Sequence, residues 1–283
     1  MSLDINYLRQ WVGSVQKSSD VVTPVPLACL NATLDRGDQE PQIGEELPPS
    51  GHWLYFLNPA RQSEIDINGH AKKGEFLPPV PLERRMWAGG RLKFLAPLRI
   101  GDAIKRTSEI KDIQLKEGKS GSLVFVVVNH LVFGPDGLSI DEEHDIVYRC
   151  EPNQNGSSRV LEKARVPKWQ RTIQADPILL FRYSALIFNS HRIHFDREYV
   201  TKKEGYPGLI VHGPLIATLL MDLCRRNNPN KALRRFDYRA LSPIFDIGSF
   251  TINGCPEARG AELWALDQKG NVAMRGTAEF ETP

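Results

Sequence analysis

Residues 210–226 read IVHGPLIATLLMDLCRR, and they predict a helix start followed by a buried helix. Pro214 suits the first helical position because the N–H that it lacks would have no partner there, and its φ is already helical. Gly213 would then be the N-cap, with a free N–H and no side chain in front of it. The apolar residues that follow leave little polar surface up to Arg226, so we expect a central helix enclosed by other elements.

Strand patterns follow this helix, and a loosely similar set lies earlier in the chain. Each set begins with an aromatic residue, an alanine, a proline and a glycine, at 92–102 and at 236–248. Each also has a turn before its last strand, at 134–137 and at 267–270. The predicted strands are 103–112, 122–128 and 145–149 in the first set, and 249–253, 261–266 and 272–280 in the second.

The repeat divides the chain into two halves. Residues 151–158 are rich in Asn, Gly and Ser, which is typical of a linker. We therefore predict an N-terminal half over 1–150, a linker over 151–170 and a C-terminal half over 171–283. The N-terminal half has no clean counterpart of the central helix, so we expect it to be degenerate and non-catalytic. A helix wrapped by an antiparallel sheet, present twice, is an α+β fold.

Composition excludes several classes of function. The net charge is +2, with 36 basic and 34 acidic residues interspersed, which gives no basic surface for nucleic acid or an anionic membrane. No stretch approaches the ~18 apolar residues of a membrane span. The four cysteines, at 29, 150, 224 and 255, have no metal-ligand spacing, so we expect free thiols and no metal. The first ten residues do not resemble a targeting segment, and a cytoplasmic location is expected.

The nine residues 188–196, FNSHRIHFD, carry several groups with proton or hydrogen-bond capacity. They follow a predicted helix that begins at Asp176 and Pro177, a typical N-cap and first-turn pair. A loop held by such a scaffold can present chemistry. The free N–H of Gly213, at the positive end of a helix, suits a carbonyl oxygen that gains negative charge during a reaction.

These two stretches resemble the MaoC-like enoyl-CoA hydratases of the hotdog fold. Residues 183–194 and 204–214 are similar, nearly residue for residue, to the double-hotdog branch of the family. That branch contains the itaconyl-CoA and mesaconyl-C4-CoA hydratases and the type 2 3-hydroxyacyl-thioester dehydratases. The resemblance implies a double hotdog, in which each of two antiparallel sheets wraps a central helix. It also implies a hydro-lyase that acts on an acyl-CoA thioester and needs no cofactor.

By position, the resemblance implies that His194 is the catalytic histidine and that Gly213 binds the thioester oxygen. Asn189 stands where the parent family has an aspartate, and an amide cannot take a proton at neutral pH. Two schemes follow. His194 does all the proton work through a water that Asn189 orients, by accepting or donating a hydrogen bond, which we favour. In the other scheme, His191 supplies a second titratable group.

Five further residues are candidates for substrate binding. Arg192 and Arg182 stand close to the loop and could hold a carboxylate or, for Arg192, a CoA phosphate. Tyr206 and Gly208 form a turn that could line the acyl pocket. His212 is expected to enter the helix and to bond locally. Arg192 could equally be a solvated surface residue, and Asp196 is expected to cap a short helix over 197–203.

The leading functional expectation is hydration of itaconyl-CoA or mesaconyl-C4-CoA to citramalyl-CoA. The first alternative is a 3-hydroxyacyl-thioester dehydratase of fatty-acid synthesis, whose substrate tail would need an apolar tunnel. A non-catalytic thioester-binding module is a further alternative, because Asn189 departs from the parent pattern. The expected partner is the acyl-CoA substrate, without nucleic acid or membrane, and a homodimer is possible because hotdog domains generally bury a sheet face or edge.

Overall fold

The computed structural model describes residues 3–118, 121–150 and 165–281. Within these ranges ten strands form one sheet in which every neighbouring pair is antiparallel. The elements are α1 (Ile5–Leu8), β1 (Val15–Val21), α2 (Pro24–Thr33), β2 (Arg84–Phe94), β3 (Ala103–Gly118), β4 (Gly121–Gly134), β5 (Gly137–Arg149), β6 (Trp169–Gln174), α3 (Pro177–Leu186), α4 (Arg197–Lys202), α5 (Gly213–Arg226), β7 (Leu233–Ala240), β8 (Ser249–Glu257), β9 (Gly260–Leu266) and β10 (Val272–Phe280).

The order of the strands shows the internal repeat. It runs β1-β3-β4-β5-β2-β7-β10-β9-β8-β6. From either end toward the middle, each half therefore presents its first, third, fourth, fifth and second strand in that order. The two halves meet where β2 pairs with β7, from Gly89 opposite Arg239 to Lys93 opposite Arg235. The predicted strands therefore exist in both halves. Hydrogen bonds between β2 and β7 join the strands of the two halves into one continuous sheet.

The helices α2 and α3 repeat one another in detail. Each follows the first strand of its half, has a proline in its first turn, and ends at a residue with left-handed backbone. That residue is Asp35, with φ 50°, after α2 and Phe188, with φ 49°, after α3. Non-glycine residues rarely adopt this conformation, so the shared turn indicates that the halves have equivalent chain paths. As predicted, Asp176 caps α3 by accepting the N–H groups of Ile178 and Leu179.

The helix α5 is the centre of the C-terminal half. Ten consecutive residues, from Leu215 to Cys224, are buried, and the helix packs against β7, β8, β9 and β10. Burial all around a helix is expected when a sheet wraps it. Removing one of its leucine side chains would cost about 2–5 kcal/mol of stability. The prediction of a buried central helix is confirmed.

The N-terminal half has no counterpart of α5. Between α2 and β2 the chain is described throughout, and its only helical elements there are the 3₁₀ helices Gly51–Leu54 and Gln62–Glu64. Leu54, Tyr55 and Phe56 pack in the same core as Leu92 of β2 and Ile104 of β3. A short turn with large side chains thus covers the part of the sheet where the other half has a helix. The expectation of a degenerate N-terminal half agrees with this arrangement.

The predicted linker lies mostly outside the described residues. Residues 151–164 are not described, whereas β6 begins at Trp169, inside the range 151–170. Trp169 and Gln170 are therefore strand residues, paired with Gly254 and Asn253. The division into halves at this point remains a prediction.

Candidate active site

The loop after α3 is shaped by its own backbone and by Asn189. The left-handed turn at Phe188 reverses the chain, and the N–H of Asn189 donates to the carbonyl of Ser184 at 2.8 Å. The side-chain oxygen of Asn189 accepts the N–H of His191 at 3.0 Å. Because a backbone N–H can only donate, this bond fixes which side of the amide is oxygen. The NH₂ group of Asn189 is therefore left to donate to another partner.

His194 is held as a neutral imidazole with a free lone pair. Its Nδ1 lies 2.7 Å from the carbonyl oxygen of Ile210, which can only accept, so Nδ1 carries the proton. Nε2 is then the unprotonated nitrogen. Burial lowers the pKa of His194 to about 4, although the bond to Ile210 acts in the opposite direction. At neutral pH this side chain can accept a proton at Nε2.

Four imidazole rings form a row through the site. His194 stacks on His212 with centroids 3.6 Å apart and planes at 18°, and His191 meets His194 edge-on at 5.5 Å. His70, from the N-terminal half, lies 4.0 Å from His191. Burial, and then the proximity of His194, lower the pKa of His191 to about 2. Burial also holds the pKa values of His70 and His212 well below the ordinary value. The row is therefore neutral at physiological pH.

The start of α5 lies beside His194. His212, not Gly213, is the N-cap: its backbone is extended, with ψ 131°, and its carbonyl accepts the N–H of Ile216 at 3.1 Å. Gly213 is the first helical residue and Pro214 the second, so the predicted cap is wrong by one position. Neither position has a partner for its N–H within the helix, so the reason for expecting a free N–H at Gly213 is unchanged. Within the described residues, no acceptor is bonded to that N–H.

His212 has a structural contact that the sequence did not indicate. Its Nε2 lies 2.8 Å from the hydroxyl of Ser184, 28 residues away on α3, rather than bonding locally as predicted. Its Nδ1 is buried and has no partner among the described residues. Ser184 thus links α3 to the start of α5 and fixes the ring that stacks on His194.

A segment of the N-terminal half, residues 67–70, holds the outer side of the loop. The hydroxyl of Ser190 donates to the carbonyl of Gly69 at 2.6 Å, and the N–H of Arg192 donates to the carbonyl of Asn68 at 2.9 Å. Gly69 has a φ of 90°, and a Cβ there would lie 1.8 Å from the carbonyl oxygen of Ser190. Only glycine allows the two segments to approach this closely.

The structure places Arg192 and Arg182 differently. The Arg192 guanidinium pairs with Asp196 at 2.8 Å, donates to the carbonyl of Ile67 at 3.1 Å, and covers the ring of Tyr199 at 4.2 Å. These contacts join the loop to residues 67–70 and to α4. Arg182 is exposed on α3 and forms no ion pair with any residue in the described ranges. Asp196 caps α4 through the N–H of Tyr199, as predicted.

Tyr206 and Gly208 lie on the chain that leads to α5. The hydroxyl of Tyr206 accepts hydrogen bonds from Arg84 and Arg149, each at 3.2 Å, and the Arg84 guanidinium lies over its ring. A Cβ at Gly208 would lie 2.7 Å from an Asp246 carboxylate oxygen, which accepts the N–H of Leu209. Both residues fix the path of this segment. Their contact with a substrate remains a prediction.

The described residues contain neither a candidate metal site nor a candidate membrane-spanning helix. They contain no group of three or more His, Cys, Asp or Glu side chains that could hold a metal ion. None of their helices is long and apolar enough to cross a membrane.

Comparisons with known proteins show the family of this chain. The family model for hydroxyacyl-thioester dehydratase type 2 matches residues 50–246. The mesaconyl-C(4)-CoA hydratase of Chloroflexus aurantiacus is 40% identical over 271 residues, 95% of this chain and 96% of that one. The mitochondrial hydroxyacyl-thioester dehydratase type 2 of Schizosaccharomyces pombe is 29% identical over 224 residues, 70% of this chain and 74% of that one.

Solved structures support the fold. A MaoC-like dehydratase from Phytophthora capsici has a TM-score of 0.69 at 13% identity, over 99% of this chain and 100% of that one. A Mycobacterium tuberculosis protein described as a double hotdog has a TM-score of 0.55 at 11% identity, over 95% of this chain and 96% of that one. The continuous sheet with one central helix is therefore a double hotdog with a degenerate N-terminal half.

Proposed function

Because the chain belongs to the hydroxyacyl-thioester dehydratase type 2 family and is a hydro-lyase, we propose that it hydrates the conjugated double bond of a short, branched dicarboxylic acyl-CoA. The proposed substrates are mesaconyl-C4-CoA and itaconyl-CoA, each giving citramalyl-CoA. The observation that carries this proposal is the 40% identity, over nearly both full lengths, to the Chloroflexus mesaconyl-C(4)-CoA hydratase. Because the family consists of hydro-lyases, we do not propose a non-catalytic thioester-binding module.

In the proposed mechanism, Gly213 binds the thioester. Its N–H, at the positive end of α5, donates to the carbonyl oxygen and stabilises the negative charge that this oxygen gains as an enolate forms. The support is the free N–H and the glycine, which leaves the approach to it open. Removal of one such donor in enzymes of this kind costs about 10²–10³ in kcat.

His194 moves the proton in this mechanism. With mesaconyl-C4-CoA, whose double bond is conjugated to the thioester, a water oxygen bonds to the β-carbon, one water proton passes to Nε2, and the electrons of the double bond move toward the thioester as an enolate. The imidazolium then returns that proton to the α-carbon, which restores neutral His194. The fixed Nδ1–H bond to Ile210 supports this role because it leaves Nε2 unprotonated before the reaction. The same side chain is thus base and then acid.

Asn189 orients the water in this scheme. Its oxygen is occupied by the N–H of His191, so its NH₂ group donates to the water oxygen while that water donates to His194. Of the two modes expected from the sequence, donation is therefore the one that we propose. His191 is the alternative second group. Its pKa of about 2 means that the ring carries no extra proton at neutral pH and binds one only weakly, which supports the scheme with His194 alone.

The substrate-binding roles are also proposals. Arg182 is the better candidate of the two arginines for an anionic group of the substrate, since the Arg192 guanidinium is already bonded to Asp196 and Ile67. Tyr206 and Gly208 would then act by shaping the wall of the site through the contacts described above.

A side-by-side assay tests the function. Turnover is measured on mesaconyl-C4-CoA, itaconyl-CoA, crotonyl-CoA and a long-chain enoyl-CoA with the same enzyme preparation. We expect a higher kcat/KM on a dicarboxylic thioester than on crotonyl-CoA. A preference for the long-chain substrate would instead support a 3-hydroxyacyl-thioester dehydratase, the activity named for the Schizosaccharomyces relative.

A further inference from the structure

A buried polar network lies in the N-terminal half, where the C-terminal half has its central helix. Glu142 of β5 is 2% exposed and accepts hydrogen bonds from His52 Nε2 and Trp53 Nε1, each at 2.8 Å, and from His144 Nε2. Burial alone would raise the pKa of Glu142, but His144 and His52 hold it well below its ordinary value. The carboxylate is therefore ionised, and its charge is distributed over three donors. The bond to Trp53 fixes that indole in one orientation.

Trp53 belongs to a group of three rings that we call the aromatic cluster: Trp53, Trp87 and Tyr238. Trp53 meets Trp87 edge-on at 5.2 Å, and Tyr238 lies 6.0 Å from Trp87 and 6.5 Å from Trp53. The carbonyl oxygen of Trp87 is the nearest atom to the position of a Cβ on Gly213, at 3.7 Å. The backbone of Trp87 therefore borders the start of α5 on the side of the N-terminal half.

Two hydrogen-bond donors of the aromatic cluster have no partner. Trp87 Nε1 and the Tyr238 hydroxyl are both buried and make no hydrogen bond with the described residues. Burial holds the pKa of Tyr238 well above its ordinary value, so the hydroxyl keeps its proton. An unpaired buried donor is unfavourable because it has lost its hydrogen bond to water, and most buried polar groups of folded proteins have a partner. A ligand oxygen that accepted from them would remove this cost.

The surrounding backbone leaves room for the Tyr238 hydroxyl. A Cβ at Gly90, which pairs with Tyr238 across β2 and β7, would lie 2.7 Å from that oxygen. Any other residue at Gly90 would displace the hydroxyl. Glycine at position 90 therefore leaves room for the whole Tyr238 side chain, since the ring carbon Cε1 would also lie 2.9 Å from that Cβ.

We propose that the aromatic cluster is the subsite for the acyl group, and that Trp87 Nε1–H and Tyr238 O–H donate to an oxygen on that group. This proposal rests on the proposed function, in which the oxygen belongs to the second carboxylate of the substrate. With its thioester oxygen on Gly213, a short acyl group extends toward Trp87. A plain alkyl group there would leave both donors unpaired, so the subsite favours an oxygen-bearing group over an alkyl group.

Binding of saturated analogues tests the subsite without catalysis. Tyr238→Phe removes one hydroxyl, and Tyr148→Phe is the matched control, because Tyr148 is also buried, also has an unpaired hydroxyl and lies in a separate core. A hydrogen bond to a charged group contributes about 1.5–3 kcal/mol, so Tyr238→Phe should weaken succinyl-CoA binding about 10- to 150-fold. Butyryl-CoA should bind the variant and the wild type alike, and Tyr148→Phe should change neither Kd.

The outcomes distinguish a failure of the proposed subsite from a failure of the proposed function. Equal weakening of succinyl-CoA and butyryl-CoA by Tyr238→Phe, or no weakening of either, would overturn the subsite. Turnover on crotonyl-CoA but on neither dicarboxylic thioester would overturn the proposed function, and the two Kd ratios would still report on the subsite. Folding is checked by thermal melting. Both variants lose an unpaired buried hydroxyl, so neither should melt below the wild type.

A second pair of variants repeats the test at Trp87. Trp87→Phe removes the other donor, and Trp264→Phe is its control, since Trp264 is also buried with an unpaired Nε1. If the proposed subsite is correct, Trp87→Phe weakens the binding of succinyl-CoA but not that of butyryl-CoA. An effect of the same size from Trp264→Phe would contradict it.

Discussion

The row of four neutral histidines makes a quantitative prediction about stability in mild acid. In the unfolded chain each imidazole has a pKa of about 6.5. In the folded protein the pKa of His194 is lowered to about 4, that of His191 to about 2, and those of His70 and His212 well below the ordinary value. The unfolded state therefore binds more protons than the folded state below pH ~6.5. The free energy of unfolding is largest above that pH and falls as the pH drops toward the folded pKa values.

The size of the effect follows from proton linkage. Between pH 7.5 and 5.5, protonation favours an unfolded histidine by roughly 1.3 kcal/mol, while a folded one with a pKa near 4 gains almost nothing. His191 and His194 together should lower the free energy of unfolding by roughly 3 kcal/mol, which is a substantial part of the 5–15 kcal/mol that is typical of native proteins, and His70 and His212 should act in the same direction. His130, whose pKa burial also holds well below the ordinary value, should add to the loss.

Urea denaturation at a series of pH values, followed by tryptophan fluorescence, measures this change. The slope with urea should stay constant while the midpoint falls. His70→Gln removes one titrating group of the row and should therefore reduce the loss. A loss below about 1.5 kcal/mol in the wild type would refute the reasoning, as would a loss in His70→Gln equal to that of the wild type.

Three further predictions concern the loop. His194→Ala should lower kcat by about 10²–10⁴-fold, measured as loss of the enoyl-thioester absorbance, and near-normal turnover would contradict both proton schemes. Asn189→Asp restores a group that can take a proton, so crotonyl-CoA turnover should rise; no gain on simple enoyl-CoA would show that the missing carboxylate does not limit that reaction. Gly69→Ala should lower kcat by displacing Ser190, whereas Gly74→Ala, with a φ of 110° and no atom nearer than 3.7 Å to the added Cβ, should cost about 1–3 kcal/mol of stability through backbone strain alone. Equal kinetic effects of the two glycine variants would argue against the role of residues 67–70.

Local features of the sequence predicted the fold well where the signal lies within a few residues. Asp176 and Pro177 predicted the start of α3, and the turns at 134–137 and 267–270 predicted the hairpins. The run after Pro214 predicted a buried helix because a polar face was missing. The cap was placed one residue late, since proline is acceptable at either of the first two helical positions and glycine gives no preference between cap and first turn.

The sequence did not predict what depends on distant parts of the chain. His70 and Gly69 reach the loop only through the tertiary fold, and nothing in their own neighbourhood resembles a catalytic motif. The sequence also gives no sign of the bond between Arg192 and the N-terminal half, because the carbonyl of Ile67 is a backbone group that any residue has. Likewise, the pairing of β2 with β7 joins the halves through backbone groups, which every residue type can supply.

The contact between Ser190 and Gly69 has a consequence for the order of assembly. The two residues are 121 positions apart, so their hydrogen bond forms only after a large part of the chain has closed on itself. Hairpins such as β4 with β5 close over short distances and carry a smaller entropic cost. During synthesis or refolding, such hairpins can thus form while the loop with His194 is still unconstrained. The loop that carries His194 is therefore fixed late in folding, when the two halves of the chain meet.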